Sequence, residues 1–458
     1  MSRRTQIPGL GGMLVRRDDP QYEDIRRTMV WSELTPARFP DVIVRPASAR
    51  DVVEAIRLAR SEGFQVAVRS GGHSWCGSPL RDGGMLVDLS GLQAYTVDPV
   101  SATATVQPGV TGRALTPELG RHGLAFPTGH CGSVAVGGYL LSGGLGWNSG
   151  ARGPACADVL EIEAVTADGE AVTCSEREHP DLFWAARGAG PGFFAAVTAF
   201  RLRLYPHPGA ITSTTWAFPL ADVAEVTHWA TGLASGLSPN VELSFCLATA
   251  DPGPAPGPKV VTVNGTAFAP SRQEADEFLE PLRTCPLAER ALSRQLDQPM
   301  TFETLYDASA PLWPPEHRYA ADTLWSDAGF PTLLGRLAEA VDAAPSSRSL
   351  VLAPVSPAAR PDRDMAFSVL GESYVVPYAV WDDPAEDTAN IRWLRQAIHT
   401  VELLGTGHYI AETDLTAATT RARRSFTPDD WQRLQALKAQ YDPDGVFCSY
   451  LSPSDATT

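Results

Sequence analysis

The chain has 458 residues, 44% of them hydrophobic and 20% charged, a composition that excludes global disorder. The length exceeds the ~250–300 residues at which a single core stops growing, so at least two core-forming units are expected. With 37 Lys and Arg against 53 Asp and Glu, a net charge of -16 and no basic run longer than Arg421 to Arg424, a nucleic-acid partner is excluded.

In chain order, Ser2, Arg3 and Arg4 resemble the start of a twin-arginine signal. Pro8, the neighbouring glycines and the pair Arg16 and Arg17 leave no apolar segment behind it. No run of about 18 apolar residues occurs anywhere, so no membrane span is expected. The seven cysteines are sparse and odd in number and lack metal-binding spacing, so reduced thiols and a cytoplasmic location are expected.

Residues 42–47 read as a strand, and Ser48 with Asp51 as a capping box for a helix that carries Val52, Ala55, Ile56 and Ala59 and stops at Gly63. Strands at 65–70 and 85–90 follow, then a hairpin over 95–107 around Asp98 and Pro99 and a helix over 112–122. Between 127 and 153 neither period of 2 nor of 3.6 persists, because six of the 39 glycines fall between Gly132 and Gly146. A hairpin at 160–174 turns on Asp168 and Gly169, a helix covers 180–187, and an exit strand covers 197–206. The middle region reads as strands at 211–218, 241–249, 259–268, 350–356 and 366–380 with amphipathic helices at 220–235, 271–283, 331–344 and 385–403. The proline-rich 251–259 is expected to be a solvated loop. Strands backed by helices on one face predict an antiparallel sheet with a helical cover. A helix over 427–441 follows.

Two segments carry chemistry. Arg69 to Ser74 reads RSGGHS at the end of a strand; Gly71 and Gly72 let backbone N–H groups approach an anion, and Ser70 and Ser74 add donors. The second, PTGHCGSVAVGGYLLSGGLGW from Pro127 to Trp147, suits a backbone wall along a flat ligand. Neither the Rossmann nor the P-loop fingerprint is present.

Taken with VLEIEAVTADGE, DLFWAARGAGPGFFAAVTAFRLRL and YDPDGVF in order, these segments resemble the vanillyl-alcohol-oxidase-like flavoproteins and, more narrowly, the berberine-bridge-enzyme-like oxidases, over nearly the whole chain. The resemblance implies a two-domain α+β fold of the PCMH type. The FAD-binding domain would span 1–209 (core about 38–207), a substrate domain with a helix-covered antiparallel sheet 210–409, and a segment completing the first domain 410–458. It implies FAD attached twice, His73 to the 8α-methyl and Cys131 to ring carbon C6, with cofactor contacts from Arg69, Ser70, Gly71, Gly72, Ser74, Thr128, Gly129, Gly132, Val134, Gly137, Gly138, Ser142, Gly144, Gly146, Val197 and Tyr450. Thiolate and imidazole are competent nucleophiles for such bonds. A small residue at Val134 implies oxygen access and hence an oxidase that converts O2 to H2O2.

Where the family carries Tyr-x-Asn-Tyr-x-Asp, this chain reads Tyr409, Ile410, Ala411, Glu412, Thr413, Asp414. Glu412 replaces the catalytic tyrosine and becomes the candidate base. Tyr378 is the second candidate: Glu372, Tyr374 and Tyr378 share one face by period 2. Trp313, His317, Arg318 and Tyr319 read as a surface loop, with the lining of the pocket as the alternative. The expected substrate is a small organic molecule with a C–H next to O or N, in a monomer or homodimer. The alternatives are a flavin dehydrogenase or oxidative cyclase, and a flavin-binding protein without catalysis.

Overall fold

The computed structural model describes residues 11–253, 256–355 and 363–456. The amino-terminal arginine motif and parts of the expected 251–259 loop and 350–356 strand lie outside these residues.

The helix Ala49–Glu62 starts where the Ser48 side chain accepts from the Asp51 N–H and ends at Gly63 with φ 70°. The expected box is only half formed: the Asp51 carboxylate accepts from Ala47 and Gly11, reaching back past the cap. The apolar stripe of this helix covers a four-stranded sheet in which Val42–Arg45, Met85–Asp88 and Val66–Arg69 run parallel, with Met13–Arg16 antiparallel at one edge. A five-stranded antiparallel sheet follows, its centre the paired strands Val159–Val165 and Ala196–Arg203. The carboxyl-terminal segment returns to the first sheet: the Val66 N–H donates to Val446 and the Cys448 N–H donates to Val66. One large apolar core therefore joins residues from 42–204 to Ile410, Leu415, Phe426, Leu434 and Phe447.

A separate core belongs to a nine-stranded antiparallel sheet. Its strand Val241–Thr249 alternates buried and half-buried residues along its whole length, and Ala210–Pro219 and Lys259–Ala269 do so over part of theirs. One face packs under helices such as Phe330–Asp342 and Asp387–Val401, as amphipathic periodicity requires. The other face looks toward the glycine-rich segments.

Some expectations change. The strand expected over 366–380 begins only at Ser373. Strands Ser293–Met300, Arg318–Ala321, Leu324–Ser326 and Gly405–Gly407 and the helix Phe302–Ser309 were not anticipated. The first is an edge strand exposed along most of its length, so no burial imposes alternation on it. Arg318 and Tyr319 are not in a surface loop: Tyr319 is fully buried on a strand, and Arg318 pairs with Asp387.

Candidate active site

A cavity of about 1020 Å³ lies between the glycine-rich segments and the free face of the nine-stranded sheet. That is the upper end of the range for ligand sites, ~300–1,000 Å³, and its lining includes Val66 and Phe447 of the first unit and Tyr378 and Trp313 of the second.

The RSGGHS loop forms one wall. Gly72 has φ +78° and a Cβ there would sit 2.7 Å from the Met29 carbonyl oxygen, so the tight turn needs glycine. Arg69 spends its guanidinium on the protein, donating to Asp88 at 2.7 Å and to the carbonyls of Met29 and Gly71; it braces the loop from behind. His73 stacks on Trp31 with ring centroids 4.8 Å apart. Its Nδ1 is buried without a partner. Burial, with the Arg69 charge adding to it, pushes the His73 pKa down to about 3, so the ring is neutral and its nitrogen lone pair is available.

Across from it, the Cys131 Sγ lies 3.2 Å from Ser133 Oγ, which lies 3.0 Å from His73 Nε2. Ser133 thus links the two expected attachment residues, a role no sequence signal marked. Next to Cys131, His130 Nε2 meets Glu242 Oε1 at 2.7 Å, and the Asn148 N–H donates to the other Glu242 oxygen. Burial disfavours the charged imidazole, but the Glu242 carboxylate outweighs it and raises the His130 pKa.

The roof carries Glu412. Tyr378 donates to its Oε1 and Tyr374 to its Oε2, both at 2.6 Å. Two residues apart by period 4 on one strand thereby grip both oxygens of a carboxylate from another segment. Burial first, and the Glu412 charge second, hold both phenols far above their usual pKa, so both hydroxyls stay protonated donors. Glu372 stands outside this strand at its exposed approach. Tyr409 also lines the cavity, but its hydroxyl oxygen accepts the N–H groups of Gly144 and Leu145 and ties the glycine turn to the roof.

The remaining expected contacts divide. Ser70, Gly71, Gly72, Ser74, Gly129, Val134, Gly138 and Ser142 line the cavity. Thr128, Gly132, Gly137, Gly144, Gly146, Val197 and Tyr450 are not among its lining residues. Thr128 is buried and bonded to Tyr306; Val197 is in the core; Tyr450 packs on Gly192 and donates to Ala189. The glycine cluster is therefore mostly not a wall against a ligand. A Cβ at Gly132 would meet Arg113, at Gly137 Ser70 and Pro108, at Gly143 Phe367, at Gly144 Tyr139 and at Gly146 the Thr128 carbonyl; only Gly138 of the six opens on free space. The segment needs glycine chiefly because protein packs on both of its sides.

Residues 40–175 match the family model of an FAD binding domain. The chain is 30% identical over 443 residues, 96% of its own length and 96% of the relative's, to the FAD-linked oxidoreductase ptmO of Penicillium ochrochloron. The chain belongs to the FAD-linked oxidoreductases. Its fold is that of 6-hydroxy-D-nicotine oxidase from Arthrobacter nicotinovorans (TM-score 0.84, 23% identity, 97% of this chain and 98% of that one) and of berberine bridge enzyme from Eschscholzia californica (0.79, 20%, 97% and 97%). This FAD-linked oxidoreductase is a two-domain α+β flavoprotein. Its residues fit the cofactor: the cavity takes a large ligand, and the neutral His73 with its orphaned Nδ1 faces the same space as the Cys131 thiol. No helix among the described residues is long and apolar enough to cross a membrane.

Proposed function

We propose that this flavoprotein is an oxidase that removes a hydride from a C–H next to O or N of a small organic substrate, with O2 as the final acceptor. When bound, FAD supplies the hydride acceptor and returns the electron pair to O2, giving H2O2. The observation that carries the reading is the Glu412 carboxylate, fixed through both oxygens by Tyr374 and Tyr378 in the cavity that His73 and Cys131 also face.

In this scheme the substrate's O–H or N–H proton passes to Glu412, directly or through the Tyr378 hydroxyl, whose own proton is already aimed at Oε1. As the proton leaves, the C–H electron pair is released and the carbon becomes carbonyl or imine. The two tyrosines hold the base in one place, so little reorganisation accompanies the transfer. His73 and Cys131 would each form one covalent bond to the cofactor, at the 8α-methyl and at C6. Val134 would leave room for O2.

The two apolar cores support a division into an FAD-binding unit, 1–209 with 410–458, and a substrate unit, 210–409. The unpaired state of all seven cysteines supports a cytoplasmic setting.

The test is a substrate panel followed by H2O2 release, with anaerobic reduction and readmission of air. Rapid return of the yellow colour with one H2O2 per turnover is expected. Reoxidation too slow to sustain turnover would replace the oxidase reading with that of a dehydrogenase.

A further inference from the structure

Two side chains that line the cavity, His73 and Cys131, would each bond to the cofactor, and the hydroxyl of an exposed residue lies between them. Ser133 Oγ is 3.2 Å from Cys131 Sγ and 3.0 Å from His73 Nε2. The sulfur has no other hydrogen-bond partner among the described residues. Trp31 stacks on the imidazole with ring centroids 4.8 Å and planes 21° apart, which holds the ring in its plane.

A hydroxyl carries one proton, so Ser133 donates to one neighbour and accepts from the other. The ring decides the direction. With its pKa lowered to about 3, chiefly by burial, His73 is neutral and carries a single N–H. The Ser133 main chain also hydrogen-bonds the ring and favours its protonated form. Ser133 therefore presents acceptors to the ring, and the N–H sits on Nε2, the nitrogen that faces it. Nδ1, which has no partner, keeps its lone pair. The Ser133 proton is left for Cys131 Sγ, and a donor on sulfur favours the thiolate, the form that attacks. One hydroxyl sets both nucleophiles in their reactive forms.

Resting on that double attachment, we propose that Ser133 is a positioning residue for it: the hydroxyl fixes the His73 proton on Nε2 and points its own at Cys131, so that Nδ1 and Sγ are the bonding atoms. Each bond releases one proton from the nucleophile and one from the flavin carbon it joins, and leaves an electron pair on the ring that O2 removes with the two protons as H2O2. Because Ser133 is exposed, the protons released at Nε2 and Sγ reach solvent through it.

The experiment compares the wild type, Ser133→Ala and Ser133→Thr as full-length proteins harvested at the same short time after induction. Mass spectrometry of the proteolytic peptides that carry His73 and Cys131 gives the fraction bonded to flavin at each residue; total flavin and melting temperature are read on the same samples. Ser133→Ala should keep its total flavin and its melting temperature while the Cys131-bonded fraction falls about tenfold, the loss of one hydrogen bond to a charged group, and the His73-bonded fraction falls with it. Ser133→Thr, which keeps the hydroxyl, should restore both. Bonding in Ser133→Ala equal to that of the wild type would overturn the proposal, and so would a loss of bonding that comes with a loss of total flavin and a lower melting temperature, which would make Ser133 a residue of the fold alone. A wild type whose flavin bonds to neither residue would instead overturn the attachment itself, and H2O2 release would still judge the oxidase reading.

Discussion

Glu412 stands where the family resemblance implies a tyrosine, and the structure places Tyr374 and Tyr378 on its oxygens. If it is the base, Glu412→Gln keeps the shape and removes the proton acceptor; kcat should fall by roughly 10²–10⁴ with FAD content unchanged. Tyr378→Phe frees one carboxylate oxygen and should cost less, of the order of tenfold. Steady-state kinetics beside the flavin absorbance separates loss of chemistry from loss of cofactor. For the two proposed attachment residues, colour after denaturation in SDS is the measurement: if both bonds form, His73→Ala and Cys131→Ala should each stay yellow through the surviving bond, and the double variant should bleach. That His73 and Cys131 face one cavity follows from the motifs that carry them. Ser133 between them, the Trp31 ring on His73 and the Glu242 partner of His130 were not legible, since each is a contact between segments distant in sequence.

At the scale of elements, the glycine-rich stretch from 132 to 146 tests what glycine is for. Gly146→Ala would drive a methyl into the Thr128 carbonyl and the Tyr139 hydroxyl, an overpacking expected to cost about 1–3 kcal/mol or more. Gly138→Ala, in the helix Val136–Leu141 with open space beside it, should be neutral or stabilising by about 0.4–1 kcal/mol, while its methyl narrows the cavity. Thermal melts of the two variants check this; equal destabilisation would mean that the packing described around Gly146 does not decide its identity. The same reasoning explains which elements could be read in advance. Ala49–Glu62 carries its cap, its stripe and its stop within 16 residues, and the hairpin at Val159–Cys174 carries its turn residues. Gly405–Gly407 and Leu324–Ser326 are strands only because a neighbour pairs with them, and nothing local announces that.

For the whole molecule, the join between the two cores is electrostatic as well as apolar. Asp322 is fully buried; its Oδ1 accepts from Thr413 and the Asp414 N–H, next to Glu412, and its Oδ2 faces Arg421 at 3.1 Å. Arg421 in turn touches His408 Nε2 at 2.7 Å. Burial raises the Asp322 pKa to about 6, whereas burial and then the Arg421 charge lower that of His408 to about 3. The signs oppose. Between about 6.5 and 3 the unfolded chain protonates its His408 and the native state does not, so acid destabilises; between about 6 and 3.8 native Asp322 binds the proton first, so acid stabilises. Asp322→Asn removes the second effect and leaves Arg421 with only the half-exposed Glu402 carboxylate, 3.4 Å away. The variant should lose about 3–5 kcal/mol at neutral pH, and its melting temperature should fall more steeply than that of the wild type from pH 6 to 4. A parallel pair of curves would show that Asp322 does not titrate in that range.

The flavin-binding motifs, the α+β class and the amphipathic helices were available from order and spacing, because each depends on residues close together in the chain or on a period set by backbone geometry. The cavity, the grip of Tyr374 and Tyr378 on Glu412, and the assignment of most glycines to protein packing came from the fold. They depend on which face of a nine-stranded sheet meets which loop, a relation between segments up to several hundred residues apart that no local pattern records. The glycine-rich stretch from 132 to 146 illustrates the division: its position announced a site, but the neighbours that make glycine necessary are Thr128, Pro108, Phe367 and Tyr139, and only packing in three dimensions brings them there.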